Sequence, residues 1–136
     1  MVVGDVMRID ETAVAPVNIR VPADKSQVAM VRAIAETLAV LADFSLDEVA
    51  DIKLAVDEAA MTIIGHAGPG AELTVAFTTA EHHFNGVVQS WLPRSNSLPQ
   101  TGFGWHVLQT LTESVTVHEG EADNDGGRLV AIELVK

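Results

Sequence analysis

The stretch from Ser45 to Gly70 constrains the fold of this chain more tightly than any other. Ser45 and Glu48 form a capping box, each side chain satisfying a backbone N–H of the other, while Phe44 and Val49 occupy the two positions of a hydrophobic staple. Val49, Ile52, Val56, Ala59 and Ile63 then recur at three- and four-residue steps, which marks one buried stripe on a long helix. Gly68-Pro69-Gly70 ends it, because proline has no N–H to give and clashes with the turn before it. A helix with one apolar stripe needs a second layer to lie on. Residues 72–79 and 84–92 alternate apolar with polar and are joined around Glu81-His82-His83, so they are expected to supply that layer as a β-hairpin.

The rest of the chain extends this pattern. Residues 1–14 have no clear period and are expected to be a loose leader or a frayed first strand, with a single domain over 15–136. Residues 17–21 alternate and stop at Pro22, as a half-buried strand would. Asp24 or Ser26 can cap a helix whose apolar positions are Val28, Val31, Ala35, Leu38 and Ala42, with Lys25, Arg32 and Glu36 on its other face. Residues 93–101 are rich in loop formers and read as a mobile loop closed by Gly102-Phe103-Gly104. A short helix over 105–111 follows, then strands over 114–118 and 128–135 with a polar turn at 121–127. The expected fold is an α+β two-layer sandwich, a mainly antiparallel sheet with helices on one face.

Composition excludes several functions. With 136 residues the chain suits one domain, and with no cysteine it has no thiol chemistry, disulfide frame or cysteine-ligated metal. Nineteen acids against eight bases give a net charge of −11, divided 11 acids to 8 between residues 1–68 and 69–136. Such a surface repels phosphate backbones and anionic lipid and favours a basic partner, so direct nucleic-acid binding is not expected. No apolar run approaches the roughly 18 residues of a membrane span. Asp5, Asp10 and Glu11 stand where a signal peptide would be basic and then apolar, and the protein reads as cytoplasmic.

The chemistry-bearing residues are few. Glu58, Thr62 and His66 are spaced by four and form one row on the long helix. Lining a cleft, Glu58 can serve as a general base and Thr62 can touch a metal-bound water; otherwise Glu58 is a solvated acid and Thr62 a packing residue. Gly102-Phe103-Gly104 running into a helix either lets the backbone approach a phosphate at the helix start or is a plain loop-to-helix turn. The five histidines lack metal-ligand spacing, and Ser90 lacks the glycine-flanked elbow of a hydrolase nucleophile. Arg32 can pair with Glu36 one turn on.

Two stretches, residues 54–67 (Leu-Ala-Val-Asp-Glu-Ala-Ala-Met-Thr-Ile-Ile-Gly-His-Ala) and 102–108 (Gly-Phe-Gly-Trp-His-Val-Leu), resemble in order two boxes of the GHKL (Bergerat) ATPase fold. The resemblance covers about residues 15–136 and is closest to its RsbW/SpoIIAB branch of anti-sigma factors, in particular the actinobacterial sigma-F regulators of the UsfX kind. It implies a protein that sequesters an alternative sigma factor and is displaced by an anti-anti-sigma factor, a homodimer, and a site for ATP and magnesium. On this resemblance Glu58 matches the catalytic glutamate, Gly102 and Gly104 match the glycines closing the nucleotide lid formed by 93–101, and Arg32 falls at the partner-contacting arginine. Thr62 stands where the family has its magnesium-ligating asparagine, and Ser90 where an aspartate reads the adenine amino group, with Leu92 for the adjacent glycine. Both departures imply a weak ATP site. Alternatives are an active serine kinase acting on an anti-anti-sigma factor, or a GHKL-like regulatory domain of another signalling pathway.

Overall fold

The computed structural model describes residues 14–136. Five strands form one sheet in the order β1-β2-β3-β5-β4, where β1 is Val14–Pro22, β2 Glu72–Ala80, β3 His83–Leu92, β4 Ser114–Glu119 and β5 Arg128–Val135. Every neighbouring pair is antiparallel. Among the described residues three helices accompany it: α1 (Val28–Leu41), entered through a 3₁₀ turn at Lys25–Gln27, α2 (Leu46–His66) and α3 (Gly102–Leu111).

The helices share one face of the sheet, as the two-layer pattern requires. Leu73, Val75 and Phe77 of β2, Phe84, Val88 and Leu92 of β3, and Val130, Ile132 and Leu134 of β5 alternate inward. They meet α2 through the predicted stripe, Val49, Ile52, Val56, Ala59 and Ile63, all of it buried. Both halves of the capping box form: Ser45 Oγ accepts from the Glu48 N–H at 3.2 Å, and Glu48 Oε1 accepts from the Ser45 N–H at 2.9 Å. Truncating the fully buried Ile63 to alanine costs about 2–5 kcal/mol, the usual range for a core isoleucine.

Local boundaries depart from the sequence reading at three places. Asp24 accepts from the Ser26 N–H at 2.8 Å and so caps the 3₁₀ turn, while α1 itself begins at Val28. The hairpin turn narrows to Glu81 and His82, the latter at φ 57°. The short helix begins at Gly102, three residues earlier than expected, so both glycines belong to its first turn. The expected leader, residues 1–14, lies outside the described residues except for Val14, which opens β1. Among the described residues no helix is long and apolar enough to cross a membrane.

Candidate functional site

The row on α2 survives folding as a connected chain of contacts. Thr62 Oγ1 donates to Glu58 Oε2 at 3.1 Å, and His66 Nδ1 lies 2.8 Å from the Thr62 carbonyl. A carbonyl only accepts, so the proton of a neutral His66 sits on Nδ1 and Nε2 is left as the acceptor. Glu58, Thr62 and His66 line a pocket of about 260 Å³ whose opposite wall is Thr101, Gly104 and Trp105. The strong cap and long stripe of α2 hold the first three; the turn entering α3 brings the others across.

Gly104 shows how closely that turn approaches Glu58. A Cβ there would stand 2.6 Å from Glu58 Oε2, closer than any ordinary contact. The carboxylate therefore lies against the first turn of α3, whose N-cap residue, Thr101, makes no side-chain cap. An anion at that end meets uncapped N–H groups and the positive end of the helix dipole. Gly102 serves a different need: its φ is +88°, a conformation glycine adopts freely, and open space surrounds it.

Arg32 does not pair with Glu36. Its Nη1 donates to Asp57 Oδ2 at 2.7 Å, while Glu36 takes Lys53 Nζ at 3.1 Å. Both contacts bridge α1 to α2, which same-helix spacing could not reveal. The side chain of Arg32 remains 41% exposed, and Asp57 Oδ1 is buried with no hydrogen-bond partner.

Ser90 lies away from this cluster. It is buried on the core face of β3 and donates to the Glu72 carbonyl at 2.7 Å; Leu92 beside it is fully enclosed in the core. The structure thus brings Glu58, Thr62 and Gly104 to one pocket and puts Gly102, Ser90 and Arg32 outside its lining.

The loop over 93–101, expected to be mobile, is tied down at several points. Arg128 Nη1 donates to the carbonyls of Pro93 at 3.0 Å and Asn96 at 2.7 Å, Asn96 Nδ2 donates to the His66 carbonyl at 2.9 Å, and Leu98 is buried. Arg128 read as an ordinary strand-end residue in the sequence, and nothing in its neighbours marks it as the anchor of a loop about 30 positions away.

Glu58 and Thr62 present oxygen atoms to the pocket, the donor type that magnesium takes. A magnesium ion needs oxygen ligands, usually one or two carboxylates together with phosphates. Glu58 offers one carboxylate, and the Thr62 hydroxyl has its proton committed to that same group. Ser90 carries no carboxylate, and its hydroxyl donates to the Glu72 backbone carbonyl.

The profile of the histidine kinase-like ATPase domain matches residues 21–132. The anti-sigma-F factor RsbW of Mycobacterium tuberculosis, in two strains, is 27% identical over 125 residues, spanning 91% of this chain and 74% of the relative. A chain of the SiaB–SiaC complex from Pseudomonas aeruginosa superposes with a TM-score of 0.72 at 14% identity, covering 88% of this chain and 89% of that one, so the two share a fold.

Proposed function

We propose, from the premise that this chain belongs to the histidine kinase-like ATPase domain family, that it is an anti-sigma factor: it sequesters an alternative sigma factor in the cytoplasm and releases it to an anti-anti-sigma antagonist. The observation that carries this reading is similarity to an anti-sigma-F factor along 91% of the chain. The half-exposed Arg32 on α1 and the net charge of −11 support it, since the DNA-contacting surfaces of a sigma factor are basic. Binding to each purified alternative sigma factor of the same genome tests it. Retention of one of them at low salt, weakened by Arg32→Glu, is the expected result; retention of none overturns the reading. Light scattering on the free chain decides whether it is a homodimer.

The nucleotide site on this reading is weak. Support comes from Thr62 and Ser90, one a poor metal ligand and the other committed to Glu72. Titration calorimetry with Mg-ATP is expected to show millimolar affinity or none, and Thr62→Asn to strengthen it. Glu58, Thr62 and Gly104 gathered in one pocket favour a second reading, that of a serine kinase acting on the antagonist. Phosphate transfer to a purified anti-anti-sigma domain, lost in Glu58→Gln, would establish that activity.

A further inference from the structure

We propose that the free edge of β4 accepts an extended segment of a protein partner, which joins the sheet as a further antiparallel strand and carries lysine or arginine at its ends. Among the described residues β1 and β4 are the two edges of the sheet, and they are built differently. β1 is guarded: Pro16 and Pro22 have no N–H to offer, the register shifts between Val14 and Val17, and Arg20 stands exposed on the strand. Each of these devices hinders the addition of another strand. β4, Ser-Val-Thr-Val-His-Glu, contains no proline, lysine or arginine, and it pairs with β5 from Ser114 to Glu119 without a shift. His118 does not guard this edge, since its ring is held within the sheet by Glu133 at 2.8 Å. The unguarded edge is therefore the one open to pairing.

The register shows which groups that edge offers. Glu119 pairs with Val130, so Gly120 stands opposite Leu129, and the Gly120 N–H donates to the Leu129 carbonyl at 2.8 Å. Antiparallel ladders alternate, so the N–H and C=O groups of His118 and Thr116 also point to β5, while those of Val117 and Val115 point out of the sheet. The side chains of Val115 and Val117 are half-buried against the rim of the core. A strand with apolar residues opposite them covers their open sides and pairs their backbone groups, the two contributions on which strand addition depends. Charge selects the occupant. Glu113 and Glu119 are exposed at the two ends of β4; Arg128 meets Glu119 at 3.0 Å, and Glu113 has no ion pair among the described residues. A second copy laid antiparallel with Thr116 opposite Thr116 brings Glu113 of each chain alongside Glu119 of the other, and like charges facing across strands are destabilising. A segment with basic ends suits both positions.

The test uses the full chain, isotope-labelled for NMR, and the capped peptide Lys-Thr-Val-Thr-Val-Thr-Lys, whose valines lie opposite Val117 and Val115 in the antiparallel register. In the free chain the amides of Val115 and Val117 should exchange quickly with solvent and those of Thr116 and His118 slowly. Saturating peptide should slow the first pair by at least about tenfold and leave the second unchanged. Methylating the backbone nitrogens of both peptide valines should weaken binding by at least about tenfold, because those N–H groups point at β4. Methylating the first two threonines instead, whose N–H groups face away, should change it by less than about twofold. Replacing both lysines with glutamate should weaken binding about tenfold at low salt, and the exposed, conservative Glu113→Gln about threefold.

Absence of binding, an equal loss for the two methylated peptides, equal binding of the glutamate peptide, or equal protection of β1 overturns the proposal. So do Val115 and Val117 amides already protected in the free chain, because the edge is then covered by the chain itself or, where protection rises with concentration, by a second copy. The inference does not rest on the anti-sigma reading: the peptide test involves no sigma factor, and failure of sigma binding leaves its outcome unaffected.

Discussion

Replacing Gly104 with alanine sets two effects of known sign against each other. Gly104 is the third residue of α3, and its φ is not positive, so the backbone accepts alanine and the helix gains up to about 1 kcal/mol. The new methyl would stand 2.6 Å from Glu58 Oε2 and must push that carboxylate aside. Glu58 then loses the Thr62 hydrogen bond at 3.1 Å, worth roughly 1.5 kcal/mol for a partly exposed charged group, and its place at the helix start, worth about 0.5 kcal/mol. The net cost in the wild-type background is therefore about 1 kcal/mol. In a Glu58→Ala background nothing is displaced, and the same change should stabilise by up to about 1 kcal/mol, giving a coupling near 2 kcal/mol. Urea unfolding of the four proteins in this double-mutant cycle measures it, since a small single domain gives well-defined midpoints. Gly102→Ala is the control: at φ +88° with open space around it, it should cost about 1–2 kcal/mol whatever occupies position 58. If Gly104→Ala changes stability by the same amount in both backgrounds, within about 0.5 kcal/mol, the carboxylate does not rest against that turn.

Ser90→Asp, which restores the residue expected of an ATP-binding relative, should destabilise the fold by about 3 kcal/mol or more at neutral pH, because a buried carboxylate would face the Glu72 carbonyl. Burial raises the pKa of such a group, so the penalty should shrink as pH falls and the acid form donates to that carbonyl; thermal melts between neutral and acid pH read both effects. Arg128→Ala removes two hydrogen bonds to loop carbonyls and should make the segment over 93–101 the first site of limited proteolysis, at a stability cost of about 2 kcal/mol. Glu133 is held below its ordinary pKa of 4.5, first by the Asn85 amide and then by His118. A depressed carboxylate stabilises the fold above its unfolded pKa and loses that contribution as pH falls through the folded value, so Glu133→Gln should flatten the acid limb of the stability profile below about pH 4.5.

Local chemistry was readable wherever local signals decided the outcome. The capping box at Ser45 and Glu48, the stripe of α2 and the paired strands around His82 depend on residues within a turn or two of one another, and the structure reproduces them. Contacts between elements were not readable. Arg32 and Asp57 are 25 positions apart, and the tempting partner one turn away, Glu36, is drawn off by Lys53 on the next helix. Pattern alone could not place Arg128 over the loop, because its carbonyl partners at 93 and 96 carry no side-chain signature. Ser90 fell on a strand as expected, but the strand pattern did not show that its hydroxyl is directed to Glu72. The row Glu58, Thr62 and His66 was legible from spacing; that Gly104 closes against it depends on the turn into α3, which begins three residues earlier than periodicity indicated.

The strand order carries a consequence for how this chain is made. β5 inserts between β3 and β4, so among the described residues β4 has no neighbour in the sheet other than β5. As the chain leaves the ribosome, the hairpin of β2 and β3 and the helices above it can gather early, but β3 keeps an open edge until residues 128–135 emerge. Until then β4 waits unpaired, and the open edge is available to other chains. Closure is therefore a late, long-range step, and translational stalling within the turn at 121–127 would prolong the interval in which a nascent chain is most prone to aggregate.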